Sequence, residues 1–137
     1  MAKPDFTGTW IFNPARSALQ IPAPDHSVFV INHRGSRFHL SRTHTVGGTS
    51  DTFEIDLTVD GPETVVDRGD IKISGRARWD GPRLVVESTL SRGGESGSNV
   101  VHYVLSEDRT TIVAHEHFRS ESINYDNVWV LERSRLS

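Results

Sequence analysis

Stretches of alternating apolar and polar residues recur about every ten residues in this chain, separated by short turn signals, and this rhythm constrains the fold more than any other feature. Successive side chains of a strand point to opposite faces, so each such stretch reads as a half-buried strand, and the regular spacing reads as a β-meander rather than βαβ units. Ten stretches stand out, at 6–13, 27–34, 37–46, 51–59, 62–67, 70–80, 82–91, 97–106, 110–119 and 122–133. The breaks between them are Gly35-Ser36, Gly47-Gly48, Asp60-Gly61, Arg68-Gly69, Asp80-Gly81, a loose segment over 92–97, Glu107-Asp108 and Ser120-Glu121. Asp-Gly and Gly-Gly suit two-residue hairpins, whose backbone must visit positive φ. The one long connection, 13–26, begins Asn13-Pro14 and is expected to make one or two helical turns before Pro22 and Pro24 stop it.

If each break closes a tight hairpin, the pairing follows, and a correct register sets apolar residues opposite one another on one face. Around Gly35-Ser36, Ile31 then faces Leu40 and His33 faces Phe38; across Gly47-Gly48, Leu40 faces Ile55 and Phe38 faces Leu57. Around Asp80-Gly81 the same rule pairs Ala77 with Leu84, Gly75 with Val86 and Ile71 with Leu90, and in the last hairpin Ile112 with Trp129, Ala114 with Asn127 and Glu116 with Tyr125. A long meander leaves two exposed edges unless its first strand closes on its last. The expected fold is therefore all-β: an antiparallel up-and-down barrel of about ten strands in one domain spanning 1–137. Ten strands enclose more than side chains alone fill, which predicts a cavity.

A formal net charge of −3 and the lack of any long Lys/Arg run give no phosphate-tracking footprint, so no nucleic acid is expected as a partner. With no cysteine, thiol-based zinc and redox motifs are excluded. Met1-Ala2-Lys3-Pro4-Asp5 carries no apolar signal segment and no later stretch reaches membrane-spanning length, so the chain is expected to be cytoplasmic unless a leader has been removed. No Gly-rich phosphate loop or nucleophile elbow is present, and no cofactor is expected.

Phe6-Thr7-Gly8-Thr9-Trp10 resembles the Gly-x-Trp opening of lipocalins and fatty-acid-binding proteins, the calycin superfamily. The run from Asp5 to Leu19, with Trp79-Asp80-Gly81 and Leu105-Ser106-Glu107-Asp108, resembles small bacterial lipocalin-like proteins more closely. The resemblance implies a small-molecule barrel with Trp10 packed at the closed end. It also has departures: the Pro-rich linker is too short for the paired lid helices of fatty-acid-binding proteins, and Trp129-Val130-Leu131-Glu132-Arg133 lacks the Arg-x-Tyr pair that grips a fatty acid carboxylate in many of them.

Alternate turns fall at opposite ends of a meander. The turns at 35–36, 60–61, 80–81 and 107–108 mark one end; those at 47–48, 92–97 and 120–121, with the linker, mark the other, which is taken as the mouth. Inward positions then sort by depth: Phe38, Leu57, Trp79, Leu105, Trp129 and Trp10 lie deep, and Arg42, His44, Asn99, Glu116 and Tyr125 lie toward the mouth. Such a gradient fits a small hydrophobic or amphiphilic ligand, with Arg42 pairing an acidic head. Candidate ligand contacts are Arg42, His44, Asn99, Tyr103, Glu116, Tyr125 and Asn127 at the polar end and Phe38, Trp79 and Trp129 at the apolar end; alternatively Arg42 and Glu116 satisfy each other or water.

A second class of reading is a cofactor-independent isomerase, lyase or cyclase with Glu116 or His44 as general acid/base and Tyr125 or Arg42 stabilising charge. Asp51 is the expected cross-strand neighbour of His44, and a carboxylate there would raise the imidazole pKa or simply tie down the rim. An enzyme predicts Glu116 or His44 shifted toward neutral pH. A third class is a filled barrel acting as an interaction module, with an outer patch of Val28, Val30, Val128 and Val130 that would suit a homodimer. His115-x-His117 has metal-ligand spacing but shares the outer face with Thr111 and Arg119, and no metal is expected; a haem on His33 or His44 stays open.

Overall fold

The computed structural model describes residues 3–134. Ten antiparallel strands make one sheet: β1 (Gly8–Phe12), β2 (His26–Arg34), β3 (Arg37–Val46), β4 (Thr49–Thr58), β5 (Thr64–Arg68), β6 (Ile71–Asp80), β7 (Arg83–Arg92), β8 (Glu95–Leu105), β9 (Thr111–Ser120) and β10 (Asn124–Arg133). Their order is β4-β3-β2-β1-β10-β9-β8-β7-β6-β5, so β1 lies between β2 and β10 as the closure argument requires.

Tight turns set most of this register. Gly47 and Gly48 both have positive φ, 57° and 79°, between the last pair of β3 and β4, Val46 and Thr49. Gly93 and Gly94 (φ 54° and 86°) do the same between Arg92 and Glu95, so the segment expected to be loose is a two-residue hairpin. Only glycine takes up such a pair of left-handed conformations without steric cost.

Two expected registers are displaced by two residues. In the β6–β7 hairpin Ala77 faces Val86 and Trp79 faces Leu84, because Gly81 and Pro82, not Asp80 and Gly81, are the central residues. Pro82 has no N–H to give to a ladder, and the turn is where that lack costs nothing. In the β9–β10 hairpin Ala114 faces Trp129, Glu116 faces Asn127 and Phe118 faces Tyr125. Here Ser120 pins the closure: its N–H and hydroxyl both donate to the Ile123 carbonyl (3.1 and 2.8 Å), and its oxygen accepts from the Ile123 N–H (3.0 Å). A slip of two keeps every side chain on its face, so the inward and outward assignments survive.

The 13–26 connection holds no helix. Pro14, Ala15 and Arg16 form a single turn, with bonds from the Arg16 and Ser17 N–H groups to the Asn13 and Pro14 carbonyls at 3.3 Å, and Ala18 then bridges Val128 of β10. The strand edge of β10 offers partners for the linker backbone that a lone helical turn lacks. Because the linker lies on them, Val128 is half-buried and Val130 is buried, so the proposed outer valine patch does not form; Ile11 and Val30 stay exposed there, with Val28 half-buried beside them.

The barrel is not closed by backbone pairing between β4 and β5. Asp60-Gly61 is no hairpin: the Val59 N–H donates to Ser36 O (2.6 Å), and Val59 makes a parallel bridge to Ala77 of β6. Higher up, Ile55 and Leu57 fill the seam against Gly75, where a Cβ would stand 3.2 Å from Ile55 Cδ1. At the mouth end Arg68 crosses to Asp51 at 2.9 Å. The core runs up the inside of the barrel from Phe6, Trp10, Phe38, Leu84, Ile112 and Leu131 at its closed end.

Candidate functional site

Alternation along β3, β8, β9 and β10 brings Arg42, His44, Asn99, Tyr103, Glu116 and Trp129 to one internal cavity of about 70 Å³. Ser88 adds a hydroxyl, and the other walls are apolar, among them Phe29, Leu40, Phe53, Ile55, Val86 and Val101. Phe38 and Trp79 lie elsewhere. Phe38 packs with Phe6, His33 and Tyr103 below the cavity, and Trp79 stacks on Phe6 at the closed end under the Lys3 ammonium. Asn127 is buried behind Glu116, and Tyr125 lies at the rim in a parallel stack with Phe118, centroids 4.9 Å apart. Glu116 and Tyr125 are therefore not cross-strand partners, a consequence of the register set by Ser120.

Glu116 is held by three neutral donors. Its Oε1 accepts from Asn127 Nδ2 and Trp129 Nε1, and its Oε2 from Asn99 Nδ2, all at 2.9 Å. Asn127 is oriented in turn by the linker, because its Oδ1 accepts the Gln20 N–H at 2.8 Å. Three N–H groups fixed around the carboxylate hold it in place without a counter-cation.

That leaves Arg42 unmatched. Among the described residues its guanidinium has no hydrogen bond and no ion pair; it lies over the Phe53 ring at 5.4 Å, with Arg68 5.5 Å from the same ring, and its Nε is shut off from solvent with no partner. Asn99 Oδ1 is the second buried polar atom without a partner in this cavity. Buried groups in that state cost about 1–3 kcal/mol each, more when charged, and ask for an explanation.

His44 does not form the expected pair with Asp51. The two are opposite one another, but Asp51 turns outward to Arg68, and His44 Nδ1 meets Ser27 Oγ at 2.5 Å. The imidazole stacks on Trp129 at 5.6 Å. Burial, helped by Arg42 and opposed by Glu116 and Asp51, lowers its pKa from 6.5 to about 4. Tyr103 and Tyr125 are both pushed upward, by burial first. His33 is packed between Phe6 and Trp79 and accepts the Phe6 N–H on Nδ1 at 3.4 Å. His115 is exposed and His117 binds Asp126 at 2.8 Å, both on the outer face.

Toward the mouth, a vestibule of about 470 Å³ opens between the β7–β8 turn and the β9–β10 loop, with Ile71, Leu90, Phe118 and Ile123 on its walls. Sequence reasoning missed it because the 92–97 segment was read as loose. It also missed Ser27, although the β2–β3 register already set it opposite His44, and Arg133, which lies 4.3 Å over Trp10 and donates to the Thr7 and Arg109 carbonyls at 2.9 and 2.8 Å. Trp10 itself is fully buried and donates from Nε1 to Phe6 O at 2.9 Å.

No family model matches the sequence, and no curated protein matches it. Solved structures do. Secretory abundant heat soluble protein 4 from Ramazzottius varieornatus is similar at TM-score 0.64 and 13% identity, covering 98% of this chain and 99% of that one. Zebrafish ileal bile acid-binding protein complexed with cholic acid gives 0.61 and 16%, covering 94% and 98%, and human cRBP IV gives 0.59 and 15%, covering 96% and 99%. At these identities the likeness establishes the fold alone, a ten-stranded antiparallel barrel, along the length of the chain. The bacterial resemblance draws nothing from these three.

Proposed function

We propose that this protein binds a small amphiphilic molecule, with its polar end against Arg42 and Asn99 and the first carbons of its apolar part beside Phe29, Phe53 and Trp129. The Arg42 Nε, shut off from solvent without a partner on the wall of this cavity, carries this reading, since a buried donor left unmet is costly unless something accepts from it. The bile acid-binding neighbour, seen with cholic acid in its barrel fold, is consistent with a ligand of this general kind. The catalytic alternative with Glu116, His44 and Tyr125 loses its main support, because His44 is shifted to about 4, away from neutral pH, and Tyr125 stacks on Phe118 instead of facing Glu116.

The cavity volume favours a second reading. About 70 Å³ is well below the roughly 300–1,000 Å³ of ordinary ligand pockets, as a filled interaction module would have. Denaturing extraction of purified protein followed by mass spectrometry, together with titration of a hydrophobic probe dye, separates the two. A stoichiometric amphiphile, or dye binding weakened about tenfold or more by Arg42→Ala, is expected; bare protein that ignores the dye would favour the filled barrel.

A further inference from the structure

The atoms left unpaired in the cavity constrain the head group, and the row of side chains above it constrains the tail. We propose, building on the carrier reading above, that the ligand is a neutral single-chain amphiphile: a head that both donates and accepts a hydrogen bond, such as a primary amide or a hydroxyl, and an alkyl chain that runs past Phe118 into the vestibule.

Asn99 Nδ2 is committed to Glu116 Oε2, which identifies Oδ1 as the free atom and makes it an acceptor in search of a donor. Arg42 offers only donors. One head group with both functions answers both, whereas a carboxylate would answer Arg42 while setting its negative charge against Asn99 Oδ1 in a cavity that already holds the Glu116 carboxylate. An ammonium head would meet the Arg42 charge. The entrance has the same bias against anions: Glu95 and Glu121 line the vestibule, and its Arg92 is already paired with Asp70 at 2.9 Å.

The tail follows from space and alternation. A cavity of about 70 Å³ accommodates a head and a few carbons. On three neighbouring strands the next inward residue toward the mouth leaves the cavity and enters the vestibule: Ser88 is followed by Leu90, Asn99 by Gly97 and Glu116 by Phe118. Phe118 is also the cross-strand partner of Asn99, and its ring lies against Gly97, where an added Cβ would be 2.9 Å from Cζ. The polar row and the vestibule, apolar at Ile71, Leu90, Phe118 and Ile123, are thus consecutive layers of one barrel interior.

The test is calorimetric titration at pH 7.5 with octanamide, octanoate and octylamine, then with hexanamide through decanamide. Octanamide is expected to bind at least tenfold more tightly than the acid or the amine, Asn99→Leu to abolish that preference, and affinity to rise up to about fourfold per added methylene as each is buried. Leu90→Ser and the milder Ile123→Ser, at a residue 53% exposed, are expected to flatten that rise without weakening hexanamide. Octanoate binding more tightly than octanamide would overturn the neutral head while leaving the carrier reading intact. A chain-length dependence unchanged in both serine variants would overturn the vestibule. If none of the compounds binds and the probe dye is also ignored, the carrier reading itself fails, and the inference with it.

Discussion

A proton on His44 would have to sit beside the Arg42 charge and between the Trp129 and Phe29 rings, with Ser27 as its hydrogen-bond partner. The pKa is therefore lower in the folded protein, about 4, than the 6.5 of the free side chain. As pH falls the unfolded chain takes up the proton first, so stability that is full above pH 6.5 is lost between 6.5 and 4. The group is only partly buried, and after allowance for solvent screening the loss is on the order of 1–2 kcal/mol. Urea midpoints at pH 7.5 and 4.5 should show this loss, and His44→Gln should remove most of the difference; an undiminished pH dependence in the variant would contradict it. Glu116 acts on stability in another way. Glu116→Leu strands the N–H groups of Asn99, Asn127 and Trp129 and is expected to cost about 3 kcal/mol or more by denaturant unfolding, because several buried donors lose their acceptor at once.

Among the elements, the seam between β4 and β5 is the place where the backbone ladder is interrupted, so its stability depends on side chains: Ile55 and Leu57 on Gly75, and Arg68 on Asp51. Hydrogen exchange should find the amides of β4 and β5 less protected than those of β7 and β8, each paired on both sides. Gly75→Val puts branched carbon into a contact already at 3.2 Å and is expected to cost about 1–3 kcal/mol, with the exchange of β4 amides rising further. Normal stability in that variant would mean the seam is loose enough to absorb the methyl groups. The linker is the opposite case, an irregular segment tied down at Ala18 by Val128 and at Gln20 by Asn127 and Asp126. No pattern of hydrophobic spacing announces such a strap, since its bonds go to the backbone and to polar side chains of a distant strand.

For the molecule as a whole, the barrel leaves a small apolar outer patch, Ile11 and Val30 at 41% and 44% exposure with Val28 beside them. Stable interfaces bury about 800 Å² on each partner, more than three side chains supply. Sedimentation is expected to give a monomer, and a dimer insensitive to Ile11→Lys would point to a different surface. The strand count, the meander, the junction of first and last strands and the face of every inward residue were legible in the sequence, because alternation has a period of two and survives even a two-residue error in register. Which inward residues meet was less legible. Pro82 and Ser120 moved two hairpins and separated Tyr125 from Glu116, and Asp51 turned to Arg68 and left His44 to Ser27. Alternation decides the side of the sheet on which a residue stands. Turn chemistry and the closing of the barrel decide its height and its neighbours, and it is those long-range contacts, made only when strands far apart in the chain meet, that left Arg42 and Asn99 unpaired in one cavity.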